Sequence, residues 1–142
     1  MILFCDTSAL MKAYANEINS PEVRAWLDAA AGRFVSLLAW TEMCAAFGLK
    51  ERTLQITHDE SAAGLRRFKS EWGGFTNVQI DRELVQQAGE LALSFGLRAY
   101  DSVHLASVQR VQRQLGSNLA FCCFDKQLDA AAQALGIKVI NT

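Results

Sequence analysis

Asp101 stands where a soluble helix should carry an apolar side chain. Wound at ~100° per residue, Leu97, Tyr100, His104, Leu105, Val108 and Val111 share one broad face, and Asp101 falls inside that arc. Ser102, Arg110 and Arg113 define an opposite, solvated face that the carboxylate does not use. Glu42 repeats the anomaly, lying on one stripe with Leu38, Ala45, Ala46 and Leu49. Two further acids directly follow apolar runs: Asp6 after Ile2-Leu3-Phe4-Cys5, and Asp125 after Leu119-Ala120-Phe121-Cys122-Cys123-Phe124. A carboxylate aimed into protein is costly unless a cation, a donor or a metal meets it.

Taken singly, each acid has an ordinary explanation. Asp6 and Asp125 sit where helices begin, and Asp is a favoured cap worth ~1 kcal/mol. Glu42 or Asp101 could pair with a buried arginine, and Arg98, three positions before Asp101, is a candidate. Taken together, four gathered carboxylates repel and cannot all stay ionised without compensation. A hard divalent cation such as Mg2+ or Mn2+ compensates them through oxygen ligands while keeping several waters. A pocket of that kind suits phosphodiester hydrolysis, because the ion stabilises charge on the phosphate and acidifies the attacking water. Rival chemistries lack their residues. His58 and His104 are too few and too scattered for a zinc hydrolase, and His104 reads as a core histidine. There is no Gly-x-Ser-x-Gly elbow and no Gly-rich phosphate loop. Asp6-Thr7-Ser8 lacks the second aspartate, two residues on, of a phosphatase-type nucleophile.

Positioning the four acids falls to an alternation of strands and helices. Ile2–Cys5 reads as a buried strand, followed by a helix over Ser8–Ala15 and a second from Pro21. Phe34-Val35-Ser36 reads as strand two, with Ser36 as N-cap of the Glu42 helix. Lys50 to Trp72 reads as further helix, broken at Gly73-Gly74, before a short strand at Val78-Gln79-Ile80. Asp81 opens a helix ended by Gly96, and the Asp101 helix closes near Gly116. Leu119–Phe124 is a buried strand, Asp125 leads into a helix ended by Gly136, and Ile137–Ile140 is the last strand. The order predicts an α/β fold with a mainly parallel sheet. In such sheets the site lies beyond the carboxyl ends of the strands, where strand order reverses. Asp6 and Asp125 converge there if their strands are neighbours.

Composition sets the frame. The chain has 142 residues, 51% hydrophobic and 20% charged, with one Pro and nine Gly, which predicts one domain over residues 1–142 with little linker. Fourteen basic against 15 acidic residues, net −1, provide no broad basic coat. Arg66, Arg67 and Lys69 read as a solvated helix face. No run of about 18 apolar residues is present to span a bilayer, and Met1–Asp6 lacks the features of a signal peptide. Cys5, Cys44, Cys122 and Cys123 match no zinc spacing and read as free thiols in a reducing cytoplasm.

With these residues in place, the chain resembles the PIN domain, and most of all the VapC-type toxins of prokaryotic toxin–antitoxin pairs. The resemblance rests on Leu3–Leu10, the Glu42 helix, Gly96–Ala106 and Phe124–Leu128, and it runs through the chain in order. It implies a three-layer α/β/α sandwich and a Mg2+- or Mn2+-dependent endoribonuclease. Asp6, Glu42, Asp101 and Asp125 take the family's four acidic positions. Asp6 and Asp101 are then the principal metal ligands. Asp125 and Glu42 complete the pocket, as ligands through water or by orienting the attacking water, and Thr7 is a supporting donor. A homodimer and a small antitoxin that covers the pocket are also implied. Lys50–Phe75 matches no motif. Two alternatives stay open: a PIN-type nuclease acting in RNA processing or on DNA without an antitoxin, and a non-catalytic PIN-like interaction module.

Overall fold

Leu3, Phe4 and Cys5 have no exposed surface because the strand that carries them lies in the middle of the sheet and is covered on both faces. A computed structural model describes residues 1–142 except the side chain of Ser117. The strands are β1 (Ile2–Cys5), β2 (Gly32–Ser36), β3 (Thr76–Val78), β4 (Leu119–Cys122) and β5 (Val139–Ile140). They pair in parallel in the order β3-β2-β1-β4-β5. The helices are α1 (Thr7–Tyr14), α2 (Ser20–Ala29), α3 (Ala39–Arg52), α4 (His58–Glu71), α5 (Arg82–Phe95), α6 (Ala99–Leu115) and α7 (Lys126–Ala134).

Alternation along the strands builds two cores. Leu3, Cys5, Val35, Ala120 and Cys122 pack with residues of α1 to α4, whereas Phe4, Val78, Leu119 and Phe121 pack with α5 to α7. The chain therefore forms a three-layer α/β/α sandwich. It steps from β1 to β2 to β3 in one direction, then returns past β1 to β4 and β5. With crossovers of one hand, that reversal must switch the connecting helices to the other face. The reversal also makes β1 and β4 neighbours, with Cys5 opposite Cys122. The neighbour relation that the sequence reading required is present.

Several local expectations are corrected. Ser36 does not cap α3, which starts three residues later at Ala39; the Ser36 hydroxyl instead accepts from Leu38 N–H at 3.2 Å. The stretch from Lys50 to Trp72 is not continuous helix. α3 ends at Arg52, Leu54 turns the chain with φ 60°, and Thr57 and Glu60 form a reciprocal capping box for α4. The buried face of α3 is Ala39, Met43 and Phe47, while Leu49 is 53% exposed. Apolar residues surround that helix, so periodicity alone does not select the face. On α6, Tyr100 is 60% exposed and Ser102 only 1%, the reverse of expectation. This helix contacts α5, β2, β4 and α7, which cover more of its circumference than a single stripe. The third strand is Thr76–Val78 rather than Val78–Ile80.

A candidate acidic active site

β1 and β4 deliver two aspartates side by side. Asp6 N–H still pairs with Cys122 O at 3.2 Å, continuing the ladder, and then Asp6 caps α1 by accepting from Ala9 N–H at 3.0 Å. Asp125 caps α7 in the same way, through Leu128 N–H at 3.0 Å. The capping explanation is thus correct for both, and it occupies only the Oδ1 atom of each. Ser8 ties the two strand ends together: its hydroxyl donates to Asp6 Oδ1 at 2.7 Å and accepts from Phe124 N–H at 3.0 Å. Asp6 Oδ2 accepts from the Cys123 thiol at 3.2 Å.

The other two acids come from helices on opposite layers. Glu42, in the first turn of α3, accepts on Oε1 from the Thr7 hydroxyl at 2.7 Å and from His104 Nε2–H. His104, on α6, is fully buried and its Nδ1 has no partner. It is a core histidine in position, but its polar edge is turned on Glu42. Asp101, one turn earlier on α6, accepts from Arg98 Nε at 3.0 Å. The same guanidinium reaches Asp125 Oδ2 through Nη2 at 3.4 Å. Two of the four predicted acids, Asp101 and Asp125, therefore share one arginine, whereas Glu42 meets Thr7 and His104 and Asp6 meets Ser8, Ala9 and Cys123.

Electrostatics follow from this packing. Burial pushes the Asp6 carboxyl above its ordinary range, outweighing the help of His104, Ser8, Ala9 and Cys123. Burial also pulls Glu42 upward, but His104, Thr7 and Arg98 outweigh it and hold this carboxyl low. For His104, burial opposes charge, yet Glu42, Asp6 and Asp101 raise its basicity. Burial and the neighbouring Asp6 push the Cys123 thiol far up, so it stays a neutral donor.

A further acid escaped the sequence reading. Asp129, one turn after Asp125 on α7, is 8% exposed; its Oδ2 accepts from Asn141 at 2.9 Å, and its Oδ1 has no partner. Burial, with Asp6 and Asp125 nearby, raises its carboxyl. The signal was available, since Leu128, Ala131 and Ala132 flank it as apolar residues flank Asp101. Ser8 and Cys123 carried no comparable signal.

Among the described residues, no three His, Cys, Asp or Glu side chains form a ready cage for a metal ion. Their chemistry nevertheless suits a hydrated Mg2+ or Mn2+, which is held by one or two carboxylates and keeps its waters. A cavity of about 190 Å3 lined by Tyr14, Arg24, Phe47, Gly64 and Arg67, among others, includes none of the four acids.

The family model of the PIN domain matches residues 3–134. The chain belongs to the PIN domain family. It is 30% identical over 138 residues to Ribonuclease VapC45 of Mycobacterium tuberculosis (strain CDC 1551 / Oshkosh), covering 97% of this chain and 94% of that protein. Two solved PIN-like structures share the fold. A toxin–antitoxin complex from Klebsiella pneumoniae superposes with TM-score 0.66 at 16% identity, over 99% of this chain and 97% of that one. VapC20 of Mycobacterium tuberculosis, a sarcin–ricin loop cleaving toxin, superposes with TM-score 0.65 at 17% identity, over 91% and 94%. Among the described residues of this PIN domain, no helix is long and apolar enough to cross a membrane.

Proposed function

We propose that this chain is a Mg2+- or Mn2+-dependent endoribonuclease and the toxin of a toxin–antitoxin pair. The observation that carries the reading is the convergence of Asp6, Glu42, Asp101 and Asp125, from four separate segments, at the carboxyl ends of β1 and β4. The ribonuclease relative at 30% identity supports RNA as the substrate, and the fold shared with a toxin–antitoxin complex supports an antitoxin partner. A homodimer is supported by α5, where Val85 and Leu93 are exposed two turns apart on either side of Gly89.

In this reading Asp6 and Asp101 would hold the hydrated divalent ion directly, with Asp125 completing the pocket through water. When bound, the ion stabilises charge on the scissile phosphate and acidifies a coordinated water. Asp6 is oriented by Ser8, Ala9 and Cys123, so its carboxylate needs no rearrangement to serve. Glu42 is kept ionised by Thr7 and His104, both of which act on Oε1. Its Oε2 accepts the proton of the attacking water.

Cleavage of a defined RNA pool, with and without EDTA, by wild type, Asp6→Asn and Asp101→Asn tests this directly. We expect cleavage by wild type only, lost in EDTA and reduced at least ~100-fold in either variant. An Asp101→Asn protein that cleaves at the wild-type rate in Mg2+ overturns the mechanism.

A further inference from the structure

Arg98 is the cation that Asp101 and Asp125 share within the chain itself. It occupies the N-cap position of α6, its side chain is 75% exposed, and its guanidinium bridges Asp101 Oδ2 and Asp125 Oδ2. Those two acids arrive from different elements, 24 residues apart in sequence, and Arg98 also lies in the field of Glu42. Arg98 therefore uses the same oxygens that the proposed divalent ion needs, and an exposed, singly charged pair is a weak competitor for them. A side chain released from both carboxylates at the rim of the site stays charged, and its planar fork matches a phosphate.

We propose that Arg98 is a displaceable counter-cation for Asp101 and Asp125, which the divalent ion releases to bind a phosphate of the RNA. The inference rests on the reading of these acids as a metal site. It makes RNA binding by this arginine conditional on the ion: without metal it is occupied by the acids, and with metal it faces the substrate. Coupling of this sort is reciprocal, so the metal and the RNA phosphate strengthen each other's binding through one side chain.

The test uses Arg98→Gln, with Arg98→Lys as a variant that keeps the charge without the fork. Calorimetric titration with Mn2+ in the absence of RNA reads the competition. We expect Arg98→Gln to bind Mn2+ roughly two- to fivefold tighter than wild type, the scale of an exposed ion pair, with Arg98→Lys between the two. Equal or weaker binding by Arg98→Gln overturns the inference, while Mn2+ binding by neither protein overturns the metal reading together with it. Fluorescence anisotropy with a short RNA then reads the second half, in Ca2+ and in EDTA. Arg98→Gln should lose RNA affinity several-fold in Ca2+ and little in EDTA. A loss of equal size in both, or none in Ca2+, overturns the metal-gated phosphate contact. Circular dichroism of both variants confirms that the fold is retained, as an exposed N-cap side chain without a capping bond leads one to expect.

Discussion

At the scale of single residues, the site combines one acid that the fold penalises with one that it supports. Asp6 is buried and raised, so its ionised form costs stability. Above the unfolded value of 3.8 the folded state holds the proton more tightly, and stability falls as pH rises through the folded value. Metal-free Asp6→Asn should accordingly be as stable as wild type or more so at neutral pH, and the difference should vanish below about pH 3.8. Urea denaturation of both proteins across pH 3–8 checks this. Glu42 and His104 behave oppositely. The lowered Glu42 contributes stability above its unfolded value of 4.5 and loses it as pH falls through the folded one. The raised His104 contributes fully below 6.5 and loses it as pH rises through its folded value. The pair's contribution is therefore full between pH 4.5 and 6.5 and declines on both sides. Replacing His104 with Gln should flatten that plateau in the same denaturation series, whereas an unaltered profile would show the pair to be energetically silent.

At the scale of elements, local chemistry was legible wherever one side chain decides it. Asp81, Gly96 and Asp125 end or begin helices as their types predict. The Thr57–Glu60 box, which divides α3 from α4, has the spacing of a helix start, but it lies inside the stretch from Lys50 to Trp72 whose composition favours helix on both sides of it. Contacts between helices were not legible. Gly64 lies where α4 meets α1 and α3: a Cβ there would approach the Phe47 ring at 2.6 Å and Tyr14 O at 2.8 Å. Gly64→Ala should therefore lower stability by about 1–3 kcal/mol, despite the better helix propensity of alanine. A fall in melting temperature measures it, and a rise would mean that the three helices can separate without loss. The face of α3 likewise depended on this three-helix contact, which places Phe47 inward and leaves Leu49 outside.

At the scale of the whole molecule, α3 and α6 bring their acids from opposite layers to the carboxyl ends of β1 and β4, so a bound ion should tie the layers together. Binding to the folded chain alone stabilises it, by about 2.7 kcal/mol at a hundredfold excess of free ion over Kd. Mn2+ or Mg2+ should raise the melting temperature of wild type, EDTA should reverse the rise, and Asp6→Asn should show much less of it. An equal rise in the variant would place the ion elsewhere.

The sequence by itself determined the alternation of strands and helices and the helix ends at Asp6, Asp81, Gly96 and Asp125, and it made the four acids conspicuous, because each depends on neighbours within a few positions. Asp101 and Glu42 were conspicuous for one physical reason: a carboxylate among apolar residues must meet compensation that the local chain does not provide. Only the tertiary structure decided what that compensation is. It set β4 beside β1, aimed His104 and Thr7 at Glu42, shared Arg98 between Asp101 and Asp125, and buried Asp129 behind them. The side-chain contacts among them join residues from 3 to 62 positions apart, and most span distances at which hydrophobic periodicity carries no information. Chain reversal and the packing of the two helix layers set them.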